Sequence, residues 1–264
     1  MSQTDKLKLS LIQADLHWEN VDANLAMFDQ KIDQIQDRDI IILPEMFTSG
    51  FTNNASEMAE EMGGKTCTWM LEKAKQKSSA ICGSVIIKEE GKTYNRFLWV
   101  QEDESVQYYD KKHLFAMAKE DEHYCAGTSK KIINYKGWRI NLQVCYDLRF
   151  PVWSRRIPKN KEDYDLMIYV ASWPKARIQA WSTLLRARAI ENQAYCVGVN
   201  RVGVDGKGFE YPGASVVVDA LGTDLAGSHP GKEEIIHAEI NLQHLMTIRE
   251  KLPFERDQDT FVLS

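Results

Sequence analysis

Apolar residues recur along the chain in two rhythms. Leu7, Leu9 and Leu11 alternate at period two, as in a strand with one face turned inward. Leu25, Phe28, Ile32 and Ile35 follow at spacings of 3, 4 and 3, which puts them on one face of a helix. Asp39–Leu43 is a short β-branched run, read as a buried strand. Thr66–Lys77 predicts a second helix, with Thr66 able to cap its start. Ile81–Ile87 and Tyr94–Val100 flank Glu89-Glu90-Gly91-Lys92 and predict a hairpin; Ile132–Tyr135 and Trp138–Val144 predict another around Lys136-Gly137. Leu166–Val170 reads as a buried strand. Ile178, Trp181, Leu185 and Ala189 mark a helix at spacings of 3, 4 and 4. Tyr195–Val199, Ser215–Val218 and Ile235–Ile240 are further strands. Helices between buried strands, together with hairpins, predict an α/β layered sandwich with mixed sheets. No Pro/Ser/Gly-rich stretch or block of one charge divides the chain, so a single domain is expected.

Composition narrows the function classes. The 264 residues carry 33 Lys and Arg against 38 Asp and Glu, a formal charge of −5. Scattered, mildly acidic charge argues against nucleic acid or an anionic membrane as the main partner. Leu166–Ala171, among the longest unbroken apolar runs, is six residues, whereas a spanning helix needs about 20. The N-terminus has no basic region followed by an apolar stretch, so a cytoplasmic protein is expected. Five cysteines, at 67, 82, 125, 145 and 196, form an odd set without C-x-x-C spacing. Neither a disulfide framework nor a structural zinc site is expected from them.

Several familiar motifs fail. Gly63-Gly64-Lys65-Thr66 ends like a phosphate-binding loop, but Ala59 stands where the first glycine is needed. Gly206-Lys207-Gly208 lacks the third glycine of a dinucleotide fingerprint and reads as a turn. Gly127-Thr128-Ser129 does not complete a serine-hydrolase elbow, because Lys131 occupies its last position. The six histidines contain no H-E-x-x-H, and no metal site is expected.

Three residues remain. Cys145 ends the run Trp138–Val144, in which Ile140, Leu142 and Val144 share one face and Asn141, Gln143 and Cys145 the other. The carboxyl end of a buried strand is where α/β sheets place reacting groups; the plain alternative is an inert buried thiol. Glu45 follows Asp39–Pro44 in the same way. Burial there would raise its pKa toward a general base's range; otherwise it is a solvated loop carboxylate. Lys111 lies between the bulky pairs Tyr108-Tyr109 and Leu114-Phe115, which could draw it inward, although paired lysines are usually solvated. Amide hydrolysis by a thiol needs a base, a group to hold the oxyanion and a proton donor for the leaving amine. Glu, Lys and Cys supply that set, and a lysine beside a thiol lowers its pKa.

With their neighbours these residues resemble the nitrilase superfamily of carbon–nitrogen hydrolases. The stretches are Leu43-Pro44-Glu45-Met46-Phe47, Tyr109-Asp110-Lys111-Lys112-His113-Leu114-Phe115 and Val144-Cys145-Tyr146-Asp147-Leu148-Arg149-Phe150-Pro151, followed by Ala171-Ser172-Trp173-Pro174 and Arg186–Gln193. Within the superfamily the chain is most similar to bacterial omega-amidases, through Phe47–Phe51, Pro151–Arg155 and Asn200–Gly203. The resemblance spans roughly residues 6–250, one carbon–nitrogen hydrolase domain, and leaves 251–264 as a tail expected in dimer contacts. It implies a four-layer α-β-β-α sandwich, a homodimer or higher homo-oligomer, and no cofactor.

The resemblance also implies roles. Glu45 is the base, Lys111 the lysine and Cys145 the nucleophile. Glu120 best fits the family's second glutamate, with Asp121 and Glu122 as neighbours that could replace it. Lys111 and the Tyr146 N–H would hold the oxyanion, and the reaction would pass through a thioester. The substrate would be a small dicarboxylic monoamide, 2-oxoglutaramate or 2-oxosuccinamate, whose far carboxylate needs a cationic clamp. Arg177 is the candidate clamp, or else a surface salt bridge, and Arg149 is expected to tie the turn after Cys145. Phe47 and Trp173 either wall the pocket or belong to the core. Rival readings are a Cys145 hydrolase relying on His113 or His123, a nitrile or carbamoyl hydrolase of the same superfamily, and a catalytically silent binding protein.

Overall fold

The computed structural model describes residues 5–158, 162–259 and 261. In chain order its elements are β1 (Lys6–Gln13), α1 (Val21–Asp33), β2 (Ile40–Ile42), α2 (Ala55–Met58), β3 (Glu60–Glu61), α3 (Lys65–Lys77), β4 (Ala80–Glu89), β5 (Lys92–Val100), β6 (Val106–Asp110), β7 (Ile132–Tyr135), β8 (Trp138–Val144), α4 (Pro151–Ser154), β9 (Leu166–Ala171), α5 (Ile178–Asn192), β10 (Tyr195–Asn200), β11 (Val202–Val204), β12 (Glu210–Pro212), β13 (Val216–Val218), β14 (Asp224–Gly227), β15 (Glu234–Asn241) and α6 (Leu242–Lys251).

Apart from β11 and β12, which form a two-stranded sheet of their own, the strands form two large mixed sheets on one plan. The first runs β15-β1-β2-β4-β5-β6, with β3 on the side of β4; the second runs β14-β13-β10-β9-β8-β7. Each has a parallel trio, β1-β2-β4 and β10-β9-β8, flanked by antiparallel strands. The trios hold the continuous apolar runs because both of their faces are covered.

Alternation along each strand assigns its side chains to layers. Leu7, Leu9, Leu11, Ile40 and Ile42 of one sheet meet Ile140, Leu142, Val144, Leu166, Ile168 and Val170 of the other in the central core. Ile41 and Ile81 point outward against Phe28, Ile32, Met70 and Ala74 of α1 and α3. Met167, Tyr169 and Cys196 point outward against Trp181, Leu185 and Ala189 of α5. The result is the expected α-β-β-α sandwich. Leu242, Leu245 and Ile248 of α6 join the central core.

Two local expectations are corrected. Thr66 does not occupy the cap of α3; Gly64 does, without a side-chain bond. The orphan N–H of Thr66 is instead taken by Glu60 Oε2 at 2.7 Å, so the capping carboxylate comes from β3. Cys145 does not continue the face of Asn141 and Gln143. Its φ of +45° turns the chain out of β8 into a 3₁₀ helix, Cys145–Arg149. Of the tail 251–264, residues 260 and 262–264 lie outside the described residues. Its described part folds back on its own chain, with Gln258 Nε2 donating to Arg156 O at 2.7 Å.

Candidate active site

Three strand ends, one strand interior and one 3₁₀ turn deliver the polar side chains. After β2, Leu43 N makes one more bond to Cys82 O at 2.7 Å, and Pro44, which has no N–H, contributes only its carbonyl, accepting from Ser84 N at 3.4 Å. Met46 has φ +44° and donates its N–H to Ser84 Oγ at 2.9 Å, fixing the bend that carries Glu45. This end of β2 passes so close to β4 that a Cβ at Gly83 would stand 2.8 Å from Leu43 Cβ. Lys111 follows β6 and is held on both sides, its N–H on Asn95 O at 3.0 Å and its carbonyl on Gly127 N at 2.9 Å. Gly127 is needed there because a Cβ would lie 2.1 Å from Asp110 O. Glu120 opens the second of two short 3₁₀ turns and accepts from Phe115 N at 2.6 Å.

These residues form a cluster closed to solvent. Lys111 Nζ lies 2.9 and 2.8 Å from the two oxygens of Glu120 and 3.1 Å from Glu45 Oε1. All three side chains are 0% exposed. Asn95 Nδ2 bridges the carboxylates, donating to Glu45 Oε1 at 2.8 Å and Glu120 Oε1 at 3.4 Å. The other Glu45 oxygen accepts from Ser172 N at 2.7 Å. Glu120, and not the exposed Asp121 or Glu122, is the acid that reaches Lys111.

The electrostatics follow from one ammonium facing two carboxylates in a dry site. Burial by itself would push the Lys111 ammonium down, but Glu120 and Glu45 together hold it above the ordinary lysine range. Burial, and after it the charge of Glu45, push Glu120 up against the pull of Lys111. For Cys145 burial dominates, Glu45 adds to it, and the downward pull of Lys111 is outweighed. Lys111 thus lowers the thiol as the sequence suggests, but burial and Glu45 outweigh it and the net shift is well upward. What the site offers is a protonated thiol beside the Glu45 carboxylate, whose charge acts on it. Such a thiol can lose its proton to the carboxylate as it attacks, beside a cation able to meet a developing oxyanion.

Cys145 and Lys111 open on a cleft of about 280 Å³ that is also lined by Tyr146, Trp173, Arg149 and Arg177. The exposed Met117 and Phe209 stand at its rim. Arg177 lies over the Phe115 ring at 5.0 Å, and Arg149 over the Trp173 ring at 5.0 Å. Neither guanidinium has an acidic partner among the described residues, so Arg177 is no surface salt bridge. Arg149 is corrected from a tie within the turn to a wall of the cleft. Phe47 is corrected to core: it is fully buried and packs on Phe28 and Trp69. His113 Nδ1 bonds Asp147 Oδ1 at 2.7 Å and its ring stacks on Phe150, while His123 is exposed; neither histidine is hydrogen-bonded to Cys145.

Asn95, Ser172 and Asp147 are polar residues that the sequence reading did not single out. Ser172 had a signal, since Ala171–Pro174 is one of the stretches that carry the resemblance. Among the described residues no group of His, Cys, Asp and Glu is arranged to hold a metal ion, and no helix is long and apolar enough to cross a membrane.

Comparison with known proteins places this geometry. The family model described as carbon–nitrogen hydrolase matches residues 8–250. An omega-amidase YafV from Yersinia enterocolitica is 49% identical over 257 residues, covering 97% of this chain and 98% of that protein. A 2-oxoglutaramate amidase from Bacillus subtilis is 31% identical, covering 94% of this chain and 96% of that one. The crystal structure of XC1258 from Xanthomonas campestris, a CN-hydrolase superfamily protein with an arsenic adduct in its active site, superposes with a TM-score of 0.96. It is 41% identical and covers 99% of this chain and 100% of its own.

Proposed function

The chain belongs to the carbon–nitrogen hydrolase family, and from that premise we propose that it is an omega-amidase, a cysteine-dependent hydrolase releasing ammonia from a small dicarboxylic monoamide such as 2-oxoglutaramate. Glu45 takes the Cys145 proton as Sγ attacks the amide carbonyl. The oxyanion is met by the Lys111 ammonium and the Tyr146 N–H, which lies in the first turn of its 3₁₀ helix, where backbone donors lack an intrahelical acceptor. The C–N bond breaks as Glu45 returns the proton to nitrogen, and ammonia leaves a thioester on Cys145. Water then attacks the thioester, again giving its proton to Glu45, and the dicarboxylic acid departs with the thiol restored. Glu120 holds Lys111 in place throughout. The reading includes a homodimer acting in the cytoplasm on free small molecules.

One observation carries the substrate class: two guanidiniums without acidic partners among the described residues share a cleft with the thiol. A carboxylate at the far end of the substrate would give both a partner. Arg149→Met and Arg177→Met are each expected to raise KM for 2-oxoglutaramate about 10- to 100-fold with little change in kcat, since a charge-assisted bond contributes about 1.5–3 kcal/mol. Ammonia release by wild type and both variants checks this. No release from 2-oxoglutaramate, or equal kcat/KM on an uncharged amide of the same length, would overturn the reading.

A further inference from the structure

Asp147 sits two residues beyond the thiol and is fully buried. Each of its oxygens accepts two hydrogen bonds. Oδ1 takes His113 N at 3.0 Å and His113 Nδ1 at 2.7 Å. Oδ2 takes Tyr109 OH at 2.8 Å and Val144 N at 3.0 Å. Tyr109 OH in turn accepts from Trp153 Nε1 at 2.9 Å and Lys112 N at 3.2 Å.

The donors come from two separate chain segments. Tyr109, Lys112 and His113 bracket Lys111, and Val144 immediately precedes Cys145. One carboxylate therefore joins the backbone carrying the ammonium to the backbone carrying the thiol. Cys145 also holds a left-handed φ of +45°. That conformation is unfavourable for a non-glycine residue and persists where surrounding bonds over-determine it. The bond from Val144 N to Asp147 closes the turn at that residue.

We propose that Asp147, oriented by His113, is a positioning residue that sets the separation of Lys111 and Cys145 for the amidase reaction proposed above. Asp147 does not line the cleft, and it acts through the two residues that do. The His113 ring is fixed on Phe150 at 3.8 Å between centroids and 7° between planes, so its Nδ1 meets Oδ1 in one orientation. A displacement of about 1 Å at a reacting atom can cost about 100-fold in rate, so a loosened link acts on kcat and leaves substrate binding intact.

The test reads Cys145 directly. Iodoacetamide alkylation of the Cys145 peptide is followed by mass spectrometry across pH, beside steady-state kinetics on 2-oxoglutaramate. His113→Ala is expected to slow alkylation and kcat about tenfold, move the alkylation midpoint to higher pH as Lys111 loses its hold near the thiol, and leave KM within about twofold. His113→Asn, whose amide N–H can replace Nδ1, is expected to restore all three. Tyr109→Phe removes a different donor from the same carboxylate and is expected to show the same signature, should His113→Ala fold poorly. An unmoved alkylation profile in both His113→Ala and Tyr109→Phe would overturn the inference, as would failure of His113→Asn to rescue. Because alkylation needs no amide substrate, a wrong substrate assignment would show as absent ammonia release with these shifts intact.

Discussion

Lys111→Met is expected to lower kcat by about 10³-fold and to destabilise the protein by about 3–5 kcal/mol at neutral pH. The first effect follows from losing the cation that meets the oxyanion, a loss typically of about 10²–10³. The second follows from the buried cluster. Without the ammonium, Glu45 and Glu120 face each other at 0% exposure with the Asn95 amide bridging them, and an uncompensated buried charge costs about that much. The loss also has a sign in pH. Glu120 is already pushed up, with Lys111 pulling it down; removing Lys111 raises it further. A carboxyl whose folded pKa lies above its unfolded value contributes stability below the unfolded pKa and loses it as pH rises through the folded one. Urea unfolding should therefore show a smaller deficit relative to wild type near pH 5 than near pH 8. A deficit independent of pH would mean that the carboxylates do not depend on Lys111.

Glu45→Gln is expected to reduce kcat/KM for 2-oxoglutaramate by about 10⁴-fold with a modest effect on folding. Cys145 lies well above the ordinary thiol range, with Glu45 among the charges that act on it, so its proton must have an acceptor at the moment of attack, and the Glu45 carboxylate is that acceptor. Glutamine keeps an oxygen for Ser172 N but cannot take the proton, in either acylation or hydrolysis of the thioester. Because Glu120 still pairs with Lys111, no ammonium is stranded. Steady-state kinetics and a thermal scan on the same preparation check both halves. A loss below about tenfold would place the base elsewhere.

The parallel strands were legible because both of their faces are buried, which leaves unbroken apolar runs such as Ile40–Ile42 and Leu166–Ala171. The strand ends carrying Glu45 and Cys145 were legible for the same reason. Phe47 was not, because the left-handed Met46 breaks the alternation and sends the next ring into the outer core. Arg149 was not, since a guanidinium after a turn reads as surface until that turn is seen to lay it over Trp173. Asn95 and Asp147 act across 25 to 50 residues, |i−j| being 50 for Asn95–Glu45, 25 for Asn95–Glu120 and 34 for His113–Asp147, and periodicity carries no trace of such pairings. α6 has a signal in the sequence as well: Asn241 caps it by accepting from His244 N at 2.9 Å, and Leu242, Leu245 and Ile248 repeat at helical spacing.

The central claim is that the amide's acyl group passes through Cys145. Acid-quenching wild-type protein during turnover of 2-oxoglutaramate and mapping the acyl group by peptide mass spectrometry tests it most directly. The account predicts a 2-oxoglutaryl thioester on Cys145 that forms and decays at least as fast as ammonia appears. Ammonia release with Cys145 unmodified throughout, and undiminished in Cys145→Ala, would contradict it.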